Sequence, residues 1–209
     1  MTRLVWSNDG SDRPDSATER PRLPENADAP GLGWRAIRAG TKAPDFRLAD
    51  QHGRCVTLDE LLPRGAVVVR FCRNENTAIC IREFNSLSAL HHDMKRLGAE
   101  LMVIAVEPFD PRPLGKEVAA FPFPILPDKT GEVARSYGLT CQVSEPSDPE
   151  ISDANTNSGG SGTMSAPATF VIDPTGLVAL AFVDVECRSL MDHGQILKAL
   201  ECLARRNSL

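Results

Sequence analysis

The apolar positions divide the chain into stretches with a clear period and stretches with none. Ala66–Phe71 reads AVVVRF, a nearly continuous β-branched run that predicts a central strand covered on both faces. From Cys80 to Leu97 apolar residues fall at 80, 81, 84, 87, 90, 94 and 97, mostly in steps of three and four. That spacing puts them on one face of a helix, which Gly98 stops. Glu100–Val106 (ELMVIAV) is a second buried strand, so strand, helix and strand follow in the order of a right-handed βαβ crossover. Ala168–Ile172 and Leu177–Val183 flank the turn sequence DPTG and predict an antiparallel hairpin. A closing helix is predicted over Gln195–Arg206, where Ile196, Leu197, Leu200 and Leu203 share a face and Arg205 and Arg206 complement the C-terminal dipole.

Weaker signals fill the gaps. Gly40–Leu62 (GTKAPDFRLADQHGRCVTLDELL) suggests a short strand, a turn at His52-Gly53, a second short strand and a helical turn. The proline-rich residues 108–127 permit a short helix around Leu114–Ala120, and Asp128–Tyr137 permits another. Residues 1–36 mix Pro14, Pro21, Pro24 and Pro30 with polar side chains, keep no period, and are expected to form a disordered N-terminal leader. A polar stretch over about 142–165, containing SDANTNSGGSGTMS, is expected to be a flexible insertion. The order β-α-β, hairpin, α predicts an α/β domain over residues 37–206. Its architecture is a thioredoxin-like fold, a central mixed β-sheet flanked by helices.

Composition narrows the function. With 209 residues, 42% of them hydrophobic, the chain can build one good core without disulfides. A net charge of −5 offers no attraction for nucleic acid or anionic lipid, so neither nucleic acid nor a membrane is expected as a partner. The opening MTRLVWSNDGSDRP lacks the apolar stretch of a secretory signal, and a cytoplasmic location is the expectation. The six cysteines, at 55, 72, 80, 141, 187 and 202, form no CxxC pair and no zinc-type spacing, so neither a metal nor another cofactor is expected.

Cys80 is the residue best placed for chemistry. A short polar connection, CRNENTAI, leads from the first strand into the helix, which puts Cys80 in a first helical turn. Unpaired N–H groups and the positive end of the dipole there favour a thiolate, lowering the pKa from the free value of about 8.5. Arg73 and Arg82 bring positive charge nearby, Thr77 offers a hydroxyl, and Asn74 and Asn76 are alternative caps. The competing reading is that Cys80 simply packs, since unpaired cysteine is among the most buried residue types.

At this point the sequence resembles a known family. GTKAPDFRLADQHGRCVTLDELL is similar to the peroxiredoxin opening GxxAPDFxLxDxxGxxVxLxDLL, and VVVRFCRN to VVVxFYRG. AELMVIAVEP, FPFPILPDKTGEVARSYGL and PATFVIDPTGLVALAFVD continue the similarity, in order, to about Leu200. The family is the alkyl hydroperoxide reductase C and thiol-specific antioxidant group of the thioredoxin-fold superfamily. Its PxxxTxxC pattern implies that Thr77 matches the threonine and Cys80 the peroxidatic cysteine. The implied activity is antioxidant reduction of a hydroperoxide substrate, with an external thioredoxin- or glutathione-like thiol as reductant and a homodimer as one assembly.

Three positions depart from that pattern. Arg73 stands where the pattern has proline, and Thr77 stands where relatives reading CPYC have their first cysteine. Pro167 replaces the arginine that many peroxiredoxins place before the TF(V/L)ID strand, leaving Arg73 or Arg82 to substitute. Pro167 also matches the active-site-facing cis-proline of thioredoxin-like proteins. Cys141, at the edge of the insertion, is the candidate resolving cysteine. Cys72 is expected to pack, His52 to occupy a turn, and His91-His92 to lie far from Cys80. Two other readings stay open: a binding or regulatory module with a degenerate redox site, and a thiol-disulfide oxidoreductase.

Overall fold

A computed structural model describes residues 3–7, 35–73, 77–106, 121–142, 163–184 and 193–206, with backbone alone at 3–7, 73, 77–81, 141–142 and 163–164. The first strand, β1 (Arg3–Ser7), is followed far along the chain by a small hairpin, β2 (Arg47–Ala49) and β3 (Cys55–Thr57). Asp50 closes that hairpin: its Oδ1 accepts from the N–H groups of His52 (2.8 Å) and Arg54 (2.9 Å), and Gly53 takes φ 78° at the turn. Thr57 then caps α1 (Leu58–Leu61) by accepting from Glu60 N.

The core of the fold is β4 (Ala66–Arg73), α2 (Thr77–Arg96) and β5 (Ala99–Val106), with the two strands parallel from Ala66↔Ala99 to Arg73↔Val106. Glycine is required where this unit begins, because a Cβ at residue 65 would sit 1.9 Å from the Gly98 carbonyl oxygen. The chain continues through β6 (Ile125–Asp128), α3 (Glu132–Ser136), β7 (Thr140–Gln142), β8 (Thr163–Ser165), β9 (Ala168–Ile172), β10 (Val178–Asp184) and α4 (His193–Arg206). Six strands form one mixed sheet in the order β1-β10-β9-β4-β5-β6, while β2-β3 and β7-β8 form separate pairs.

Side-chain alternation along β4 sorts the core into two layers. Val67, Val69 and Phe71 face Tyr137, Leu139 and the N-terminal segment around Phe46, whereas Ala66, Val68 and Cys72 face α2 and α4. The βαβ unit, the β9-β10 hairpin and the closing helix lie where the apolar pattern predicts them.

Small parts of the expected leader and insertion fall among the described residues. Arg3–Ser7, inside the segment read as a leader, is the edge strand β1, paired antiparallel with β10 through Val5↔Phe182. A strand this short shows no period of its own; the open edge of β10 supplies the ladder that orders it. At the polar insertion, both ends are tied together by the β7-β8 pair, Gln142 opposite Thr163. Residues 143–162, the leader residues 1–2 and 8–34 and the short helix expected around 114–120 lie outside the described residues.

Candidate active site

One end of the central sheet gathers the residues singled out by the sequence. β4 ends at Arg73, and α2 starts at Thr77, which makes Cys80 the fourth residue of that helix. The backbone therefore places Cys80 in the first turn, where N–H groups have no intrahelical acceptor and the dipole is positive. β9 runs antiparallel to β4 with Phe71 opposite Ala168, so Pro167 enters the sheet at this same end. The half-buried Pro167 is tied down by its carbonyl, which accepts from Asp184 N at 2.9 Å.

Cys141 reaches this end by topology. It lies on β7 opposite Met164 of β8, and β8 leads through Ala166 directly to Pro167. Ala166 N donates to Leu139 O at 2.8 Å, fixing the hairpin to the start of β9. Arg82 is exposed on α2, where its carbonyl accepts from Ser86 Oγ.

Sequence reading missed a second arginine beneath α2. Arg70 on β4 and Glu83 on α2 are buried together, with side chains 3% and 6% exposed and Arg70 Nε 2.6 Å from Glu83 Oε1. Arg70 Nη1 also donates to Thr169 Oγ1 on β9 at 3.1 Å. The Nε–H does not point at the glutamate oxygen, so the close contact is an ion pair rather than a directed hydrogen bond. Both residues carried a readable signal. Arg70 is the one charge inside AVVVRF, and Glu83 follows Cys80 by three and precedes Leu87 by four, on the face where apolar residues belong. A charge in each of two covered faces implies that they meet.

The remaining candidates lie elsewhere. Cys72 is buried in the layer under α2, as its packing assignment requires, and Cys55 and Cys202 are free thiols, the first exposed and the second partly so. Cys187 lies outside the described residues. His52 is exposed in the β2-β3 turn, and His91 lies late in α2 with its ring 6.5 Å from Phe123. Burial, aided by the neighbouring Lys95, lowers the His91 pKa. Among the described residues no cluster of His, Cys, Asp and Glu is suited to a metal ion, and no helix is long and apolar enough to cross a membrane.

Known proteins are similar to this chain. The AhpC/TSA family matches residues 39–181, which include β4, Cys80, Cys141 and Pro167. A peroxiredoxin of Hyperthermus butylicus is 29% identical over 180 residues, covering 81% of this chain and 67% of its own. The chloroplastic peroxiredoxin Q of Oryza sativa subsp. japonica is 24% identical over 184 residues, covering 88% of this chain and 76% of its own. Among solved structures, peroxidoxin BcpB from Mycobacterium tuberculosis superposes with a TM-score of 0.59 at 26% identity, over 80% of this chain and 96% of that one. A thioredoxin-like sheet, a helix opening beside Cys80 and a match over residues 39–181 lead to one conclusion: the protein belongs to the AhpC/TSA family.

Proposed function

We propose that the chain is a thiol-dependent hydroperoxide reductase with Cys80 as its peroxidatic cysteine. The observation that carries the reading is the position of Cys80 in the first turn of α2, at the end of the buried strand β4 and within the family match. The Cys80 thiolate attacks the terminal oxygen of ROOH; the O–O bond breaks, ROH leaves with a proton, and Cys80 becomes a sulfenic acid. A first external thiol condenses with it to a mixed disulfide and releases water. A second thiol then restores Cys80 and departs as the oxidised disulfide.

Thr77 is assigned to hydrogen bonding at the sulfur or the peroxide, Arg73 and Arg82 to positive charge around the opening, and Pro167 to the facing wall. Cys141 is the resolving candidate if the thiol that condenses with the sulfenic acid comes from the chain itself. A thioredoxin- or glutathione-like donor, a homodimer and a cytoplasmic setting complete the proposal.

Stoichiometric hydroperoxide should add one oxygen atom to Cys80, located by mass spectrometry of its peptide, and Cys80→Ser should abolish turnover while the protein stays folded. Oxidation of Cys141 or Cys55 with Cys80 left reduced would transfer support to a binding module. A mixed disulfide at Cys80 with activity on disulfides alone would make the chain an oxidoreductase of the exchange type.

A further inference from the structure

Glu83 stands three residues after Cys80 in α2, which puts the buried Arg70–Glu83 pair within about one helical turn of the thiol-bearing residue. The pair bridges three elements of the site: β4 through Arg70, α2 through Glu83, and β9 through Thr169. Thr169 is two residues from Pro167, where the family pattern places an arginine that this chain lacks. The sheet floor below the helix start thus holds a cation drawn from the neighbouring strand. Resting on Cys80 as the reacting thiol, we propose that Arg70 is a positioning residue that favours the Cys80 thiolate, and that Glu83 both anchors it and tempers its charge.

The two charges act on Cys80 in opposite directions. A buried guanidinium near the helix start stabilises an anion there, and a carboxylate at the same depth opposes it. With an effective dielectric constant near ~20 and a separation of about one helical turn, either charge alone moves a thiol titration by about two pH units. Their close pairing makes the net effect of the intact pair smaller than that of either charge. Charged or titratable residues on the elements around the pair include Cys72 and Arg73 on β4, Arg82 on α2, Asp184 on β10 and His193 on α4, with His91, His92, Asp93, Lys95 and Arg96 further along α2 and Lys198, Glu201, Cys202, Arg205 and Arg206 further along α4. None of these is removed by the variants below, so they cancel between them.

The test is a titration of Cys80 in the full-length protein, read as the pH dependence of its alkylation by iodoacetamide with the modified peptide identified by mass. Arg70→Met should raise the midpoint by about two pH units, Glu83→Gln should lower it by a similar amount, and the double variant should return near the parent value. Arg70→Lys should rescue the charge effect. A purely structural pair would shift neither midpoint, or would shift both in the same direction, and either result overturns the proposal. If Arg70→Met does not fold, Glu83→Gln and the double variant decide, since a midpoint unmoved by Glu83→Gln rejects the electrostatic role. Peroxide oxidation of the parent separates the two ideas. Opposed shifts without oxidation remove the peroxide reading and keep the electrostatic one, while oxidation with unmoved midpoints does the reverse.

Discussion

The two faces of the central sheet bury aromatic clusters of the same size and differ in what accompanies them. On the face away from α2, Phe71, Tyr137 and Phe170 pack with ring centroids 4.9–5.9 Å apart, in an apolar layer that also holds Phe46. On the α2 face, Phe84, Phe121 and Phe123 pack at 5.3–6.1 Å, and the same layer holds the Arg70–Glu83 pair. A buried ion pair is a poor source of stability, because desolvation offsets most of its Coulomb attraction. One face is therefore built to hold the fold together, and the other gives up some of that stability to keep charges beneath the start of a helix.

The sharpest way to break this contrast is a matched pair of truncations. Phe71→Ala should cost about 3–5 kcal/mol through lost burial and the cavity left behind, with the Cys80 titration unmoved. Glu83→Ala should cost a similar ~3–5 kcal/mol by leaving Arg70 buried without its counter-charge, and should shift the titration down. Urea unfolding midpoints at constant slope measure the first effect in each case. An unchanged midpoint for Glu83→Ala would mean that Arg70 reaches solvent or another partner easily, and the two faces would then be alike.

Next in size is replacing the pair by apolar residues. Arg70→Met combined with Glu83→Leu should leave stability unchanged or raise it by about 1–4 kcal/mol, while Cys80 alkylation at neutral pH loses its response to charge at these sites. A clear loss of stability would show that the pair supports the fold as strongly as the aromatic cluster does.

On the opposite face the corresponding polar detail is small. Tyr137 is fully buried yet donates its hydroxyl to Pro44 O at 2.9 Å, linking α3 to the segment that leads into β2. Tyr137→Phe should cost about 1 kcal/mol, the worth of a buried hydrogen bond, again read from the urea midpoint. Burial, with a smaller push from Asp45, raises the pKa of that hydroxyl, so it stays neutral at physiological pH and this face does not titrate through it.

Legibility in the sequence follows the same division. Elements held by apolar period alone, such as β4, α2, β5 and the β9-β10 pair, could be read from residues 66–106 and 168–184 because burial on a sheet face leaves a repeating signature. The placement of Cys80 in a first turn followed from the same pattern. What escaped was non-local: Arg70 and Thr169 meet only because β4 and β9 are neighbours in register, Arg70↔Thr169, across 99 residues of chain. β1 escaped for the related reason that its partner strand, β10, lies at the other end of the sequence. Pattern reports which face a residue occupies, whereas pairing across the sheet requires the topology.

The smallest expected effect tests whether the α2 face also responds to pH away from the pair. His91 packs beside Phe123, and burial together with the positive charge of Lys95 lowers its pKa below the ordinary 6.5. In the window between that lowered value and 6.5, the unfolded chain binds a proton that the folded chain does not. Stability must then rise with pH across the window, be fully present above 6.5, and fall as pH drops through the folded value. His91→Gln should remove this slope, so the difference in urea midpoint between parent and variant should change between about pH 5 and 7 and become constant above that range. Parallel curves for the two proteins would mean that the imidazole is as well solvated folded as unfolded, and the pH sensitivity of this face would then have to come from the site end alone.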